Sequence, residues 1–188
     1  CENIINIYKP AYIWVPNKNI SQFFEFTEIF CFQNYSLLKL KKVDKKYLID
    51  SNIAVLLSTS GSTGSEKFVK LSFNNLFSNA SSISNYLKLN SNDQSITNLP
   101  INYSYGLSVI NSHLFSGGSL VLTNFSIFSK EFWQLFKESK ITNFNGVPYS
   151  YEIINKLRFK VLMNKSIRFI TQAGGAISKI MHGNILEF

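Results

Sequence analysis

The densest concentration of chemically useful groups in the sequence is Leu57–Lys67, LSTSGSTGSEK. Gly61 and Gly64 let the backbone turn tightly and approach a ligand with no Cβ in the way. Ser58, Thr59, Ser60, Ser62, Thr63 and Ser65 supply hydroxyl donors, and the N–H groups of such a turn form an anion nest. Lys67 adds a positive charge within reach. Many short donors, a permissive backbone and one cation suit a polyphosphate. The spacing is not that of the GxxxxGK[ST] loop, because Gly61 and Lys67 are wrongly placed for it. On composition alone the segment equally fits an ordinary polar loop.

Other candidate chemistry is thinner. The balance is +8, with 19 Lys plus Arg against 11 Asp plus Glu. Such a surface suits nucleic acid, an acidic membrane or an anionic small molecule. Only Arg158 and Arg168 are Arg, and base-edge and bidentate phosphate recognition favour Arg, which argues against a nucleic-acid partner. The cluster Lys39, Lys41, Lys42, Lys45 and Lys46 reads as a solvated turn or strand edge. Cys1 and Cys31 have no CxxC spacing, and a reducing cytoplasm is the expected compartment. His113 and His182 lack ligand spacing, so structural or surface roles are expected and no metal site is read from the sequence.

These groups need elements to hold them, and 188 residues with 45% hydrophobic and 15% aromatic side chains suffice for a folded core. No apolar run reaches the ~18 residues of a membrane span, and the first residues lack the basic and apolar regions of a signal peptide. Short apolar runs predict strands at Tyr12–Val15, Ile53–Leu57, Phe68–Leu71, Ile96–Leu99, Ser119–Leu122, Ile141–Phe144 and Ile167–Thr171. Ile53–Leu57 reads as a strand buried on both faces. Helices are predicted from Asn19 through Phe26, from an N-cap at Ser72, over Tyr105–Phe115 up to Gly117-Gly118, from a cap at Ser129 and from Pro148. The alternation implies an α/β fold, layered, with a largely parallel sheet flanked by helices and residues 1–188 forming one unit. Ligands of such sheets bind beyond the carboxyl ends of strands, where the loops at 61–64 and 174–175 both lie.

The order of residues says more than their composition. Thr59-Ser60-Gly61-Ser62-Thr63-Gly64 with Lys67, after an apolar strand, resembles the phosphate loop of the adenylate-forming, AMP-binding enzymes. That superfamily holds acyl-CoA synthetases, AMP-acid ligases and nonribosomal peptide adenylation domains. Leu71-Ser72-Phe73-Asn74-Asn75-Leu76 is similar to the helix start that follows. Leu99-Pro100-Ile101-Asn102-Tyr103-Ser104-Tyr105-Gly106-Leu107 resembles the family's acyl-pocket segment, Gly146-Val147-Pro148 its Gly-Val-Pro turn, and Ile167–Ala176, IRFITQAGGA, its adenine loop. Four segments in the right order make the chain similar to part of the family's large N-terminal domain.

The resemblance implies ATP-dependent activation of a small carboxylic acid to an acyl-adenylate, then transfer to the thiol of coenzyme A or a carrier protein's pantetheine. It implies Thr59, Ser60, Gly61, Ser62, Thr63, Gly64 and Lys67 at the phosphates and Gly174, Gly175 and Ala176 at the adenine. Tyr103, Tyr105, Gly146 and Gln172 are the implied acyl-pocket residues. Mg2+ would serve the intact enzyme, but the family's magnesium-binding Glu, ribose-binding Asp and lid-domain Lys segments have no counterpart here, so the chain alone is expected to be an inactive fragment without the C-terminal lid domain. Apolar surface left uncovered would favour self-association. Glu66 stands where the family has Pro, Phe68 where it has Gly, and Phe73 and Tyr103 where it has His. The loss of the two His positions implies altered substrate choice rather than lost chemistry, while the Glu66 carboxylate mildly opposes anion binding. The alternative function is a noncatalytic nucleotide- or anion-binding module that retains the glycine-rich loop.

Overall fold

The computed structural model describes residues 2–42, 48–58, 67–156 and 165–186. The chain divides into two compact units, Cys1–Ile49 and Asp50–Phe188.

In the first unit a short helix α1 (Glu2–Tyr8) precedes strands β1 (Tyr12–Pro16), β2 (Phe26–Phe32) and β3 (Tyr35–Leu40). They form an antiparallel sheet of order β1-β3-β2. Val15, Phe26 and Leu38 fill its inner face, with Ile5, Ile13, Ile20, Phe23 and Leu40 packed against them. A bulge between Glu28 and Phe30 shifts the register, which sets Phe30 opposite Leu37 and so beside Trp14 on the outer face. There the half-exposed Trp14 stacks on Tyr35 and Phe30. The helix predicted from Asn19 through Phe26 is a 3-10 turn over Asn17–Gln22, with Pro16 at its cap position, and Phe26 already belongs to β2. In the lysine cluster, Lys39 is an exposed residue of the central strand and Lys41 Nζ donates to Phe24 O at 2.7 Å. Lys45 and Lys46 lie outside the described residues.

The second unit begins with β4 (Ile53–Ser58) and β5 (Phe68–Ser72), followed by α2 (Phe73–Leu87). β4 is half-buried rather than buried on both faces, and it pairs antiparallel with β5, with Ser58 opposite Phe68. The connection, residues 59–67, is shorter than the dozen or so residues that a parallel crossover needs, so the chain must return antiparallel. Ser72 caps α2 as expected: its Oγ accepts from Asn75 N, while Asn75 Oδ1 accepts from Ser72 N.

Parallel pairing appears further on, between β6 (Gln94–Ile96) and β7 (Ser119–Val121) and between β8 (Asn143–Gly146) and β9 (Phe169–Gln172). The crossover helices are α3 (Ser104–Phe115), α4 (Lys130–Glu138) and α5 (Pro148–Lys156), and α6 (Lys179–Leu186) follows β9. The sheet pairings are therefore mixed, and among the described residues the parallel ones lie in this part of the fold. The two parallel pairs meet where Thr142 N donates to Gln94 O at 2.9 Å, Asn98 Nδ2 to Asn145 O at 2.7 Å and Asn145 Nδ2 to Ser95 Oγ at 3.0 Å. Gly106 lets the first turn of α3 close on the preceding loop, since a Cβ there would collide with Pro100 O. Around the sheet Ile96, Phe132, Phe136, Ile141, Phe144, Tyr151 and Ile154 form the core. Trp133 joins it edge-on to Phe132 while donating Nε1–H to Ile127 O at 2.8 Å.

Asp93, just before β6, is only 2% exposed. Arg168 clamps it with Nε to Oδ1 at 3.0 Å and Nη2 to Oδ2 at 2.7 Å. Burial alone pushes the carboxyl upward. The guanidinium, the Asn90 N–H and the Thr142 hydroxyl together outweigh that and hold it below its ordinary value. Arg168 Nη2 also reaches Lys88 O at the end of α2, and its guanidinium lies 4.9 Å from the Phe169 ring centre. Replacing it strands a buried carboxylate. Arg168→Ala should cost about 2 kcal/mol, less than a fully buried pair because the arginine is partly solvated. The urea-unfolding midpoint measures this, and Arg168→Lys should recover only part of the loss.

Candidate functional site

One cleft of about 680 Å3 opens in the second unit where four segments converge. β4 contributes Leu57, the β5–α2 segment Leu71, Asn75, Leu76 and Asn79, α3 and its cap Tyr103, Ser104, Tyr105, Leu107, Ser108 and Asn111, and the turn after β9 Ala173 and Gly174. Its volume falls within the range of small-molecule sites. A second cavity of about 480 Å3 lies in the first unit and holds none of the site residues read from the sequence.

Tyr103 and Tyr105 both reach the cleft, one residue on either side of Ser104, but they stand in different states. The Tyr105 hydroxyl lies 2.6 Å from Thr171 Oγ1. Thr171 Oγ1 donates its own proton to Asn145 Oδ1 at 2.6 Å, so the phenol must be the donor to Thr171. Burial pushes the Tyr105 phenol upward and keeps it neutral. Tyr103 is 38% exposed, and its hydroxyl has no hydrogen-bond partner among the described residues. It sits instead against Gly174, whose φ of +84° favours glycine and where a Cβ would lie 2.5 Å from the phenol oxygen.

Gly146 and Gln172 sit opposite each other in the β8–β9 register and are not cleft-lining residues. Gly146 O accepts from Ala173 N, and the Gln172 carboxamide donates to Gly175 O at 2.7 Å, which braces the turn from the inside. Gly175 and Ala176 follow on the exposed side of that turn. Thr59, Ser60, Gly61, Ser62, Thr63 and Gly64 lie outside the described residues; Lys67, exposed, stands immediately before β5.

The sequence reading overlooked the amides and hydroxyls of the two helices. Asn75 and Asn79 are four apart on α2, and Ser104, Ser108 and Asn111 are spaced four and three apart on α3. Each set therefore shares a face, and both sets line the cleft. It also overlooked the polar chain behind Tyr105. From Asn145 the chain continues by Nδ2 to Asn143 Oδ1 at 2.8 Å, and by Asn143 Nδ2 to His113 Nε2 at 2.9 Å. His113 must accept there, so its proton sits on Nδ1 and points to Val109 O at 2.8 Å. The structural role expected for His113 is thus given a geometry, and burial holds its pKa below the ordinary value. Among the described residues no three His, Cys, Asp or Glu side chains could hold a metal together. No helix among them is long and apolar enough to cross a membrane.

The family model for AMP-binding enzymes matches residues 18–183. This chain belongs to the AMP-binding enzyme family. It is 30% identical over 137 residues to the acyl-CoA synthetase ALT10 of Alternaria alternata, covering 72% of this chain and 24% of that protein. Among solved AMP-binding structures, the o-succinylbenzoate CoA synthetase MenE of Bacillus subtilis in complex with AMP is similar at 26% identity and a TM-score of 0.63, over 72% of this chain and 27% of the other. The N-terminal domain of FACL13 from Mycobacterium tuberculosis shares the fold at 20% identity and a TM-score of 0.62, over 70% of this chain and 33% of that domain. The chain therefore has the α/β fold of part of such an N-terminal domain and spans about a quarter of the length of the curated relative it matches.

The His113 pKa is lowered by folding, so its contribution is complete above the unfolded value of 6.5 and is lost as pH falls from there toward the folded value. Between pH 7.5 and 5.5 the urea midpoint should drop, and His113→Gln should flatten that slope. Gly174→Ala should cost about 1–2 kcal/mol through backbone strain and the clash with Tyr103. Gly183→Ala, inside α6 with nothing within 4 Å, should instead stabilise by roughly 0.5 kcal/mol in the same unfolding assay.

Proposed function

We propose that the protein carrying this chain activates a carboxylic acid with ATP. A carboxylate oxygen attacks the α-phosphorus, pyrophosphate leaves, and an acyl-adenylate forms. A thiol of coenzyme A or of a carrier pantetheine then attacks the carbonyl carbon, and AMP leaves. The observation that carries the reading is the convergence, in a chain of this family, of the end of β4, Tyr103 and Tyr105 at the start of α3, and Gly174 after β9 on one cleft.

In this reading the segment running from Thr59 to Gly64, with Lys67, takes the β- and γ-phosphates. Its hydroxyls, backbone N–H groups and one ammonium match the charge that shifts onto the departing pyrophosphate. Gly174, Gly175 and Ala176 border the adenine. The fit of a flat base is supported by the absence of a side chain at Gly174, where any Cβ would crowd the Tyr103 phenol. Tyr103 and Tyr105 border the acyl group, with Gly146 and Gln172 holding the turn behind them. Positioning of the acid against the phosphate is the larger contribution asked of these residues. Mg2+ is assigned to none of the described side chains, since no three of the ligating types converge. The 188-residue chain by itself is proposed not to turn over, because it corresponds to about a quarter of its relative's length.

ATP–pyrophosphate exchange by the full-length protein, across a panel of carboxylic acids, tests the reading. Exchange should be acid-dependent and should fall roughly a hundredfold in kcat/KM for Lys67→Ala, the scale of losing one charge-stabilising donor. Nucleotide binding with no exchange for any acid would favour the noncatalytic binding module instead.

A further inference from the structure

We propose that the cleft between α2 and α3 selects an acid whose tail is uncharged and carries hydroxyl or carbonyl oxygens. The proposal rests on the reading that this cleft receives the acid. Its lining contains no Asp, Glu, Lys, Arg or His among the described residues. An acid with a cationic tail, such as an amino acid, would find no counter-charge among these described residues, and a second carboxylate would find no cation among them.

The lining is not a plain hydrocarbon surface either. Leu57, Leu71, Leu76 and Leu107 alternate with the carboxamides of Asn75, Asn79 and Asn111. Asn75 Oδ1 is committed to the cap of α2, accepting from Ser72 N at 3.0 Å and from Ser72 Oγ at 2.9 Å, which leaves its Nδ2 group as a donor. The side chains of Asn79 and Asn111 have no hydrogen-bond partner among the described residues, nor has the Tyr103 hydroxyl. Tyr105, by contrast, has its phenol proton engaged by Thr171. Donors and acceptors therefore lie on both helices, facing one cavity large enough for a tail of drug-like size. A saturated alkyl tail would displace water from these carboxamides and return nothing. A tail oxygen would replace that water with a direct bond, a difference of roughly tenfold in binding for each neutral pair.

Isothermal titration calorimetry on the full-length protein, run beside ATP–pyrophosphate exchange, tests this. The probes are octanoate, its mono-hydroxylated analogues with the hydroxyl at successive carbons from the fourth to the eighth, and 8-aminooctanoate. At least one hydroxyoctanoate should bind roughly tenfold tighter than octanoate, and 8-aminooctanoate should bind no tighter than octanoate. Asn79→Leu and Asn111→Leu should each shrink the preference, one of them to within about threefold, and the matching Ser variants should retain part of it. The proposal is overturned if octanoate binds as well as every hydroxylated analogue, if 8-aminooctanoate binds best, or if the preference survives both Leu variants. A hydroxyoctanoate preference in calorimetry with no exchange would uphold this selectivity and sink adenylation. Exchange that favours octanoate would do the reverse.

Discussion

A carboxylate withdrawn from water demands partners, and Asp93 obtains them from every direction in the second unit. The Arg168 guanidinium reaches it from the start of β9, the Asn90 N–H from the loop after α2, and the Thr142 hydroxyl from the entry to β8. Because Arg168 also holds the Lys88 carbonyl, the end of α2 cannot drift from β9 without exposing the charge. The same demand propagates inward. Thr142 Oγ1 lies 3.2 Å from Asn143 Nδ2, and the Asn143–Asn145–Thr171 sequence of amides and hydroxyl ends at Tyr105 in the cleft wall. A buried polar chain of this kind tolerates few alternative arrangements, since every member left unsatisfied is costly. The Tyr105 wall of the cleft is thus joined by continuous hydrogen bonds to the Asp93–Arg168 ion pair.

Local chemistry was readable in the sequence wherever a single residue type decides the outcome. Ser72 and Ser129 cap α2 and α4, Gly117-Gly118 follows the end of α3, and Pro148 opens α5. Pairing direction was not, because an apolar run such as Ile53–Leu57 looks the same beside a parallel or an antiparallel neighbour. Only the length of the intervening connection separates the two. β2 stayed hidden for another reason: with a bulge at Ile29, its apolar residues fall on both parities and no strict alternation survives. Asn19 has the chemistry of a helix cap, yet a 3-10 turn formed behind Pro16, where φ was already set.

The site divides along the same line. Tyr103, Tyr105 and Gly174 lie in motifs whose order outweighs their composition, and the fold brings them to one cleft. Asn75, Asn79 and Asn111 carry no such signal. A polar residue repeated at helical spacing ordinarily marks the solvated face of a helix, and only the approach of α2 to α3 turns these faces toward a shared cavity. Gly146 and Gln172 belong to the same segments, and their backbone and carboxamide brace the turn after β9.

The two tryptophans, one in each compact unit, have a practical consequence. Trp14 is half-solvated and stacked between Tyr35 and Phe30, whereas Trp133 is wedged into the aromatic core with its indole nitrogen bonded to a carbonyl. Their emission should differ in wavelength and in accessibility to a soluble quencher. This chain therefore contains two built-in optical probes, one in each compact unit, and the melting of each unit becomes measurable without a single label.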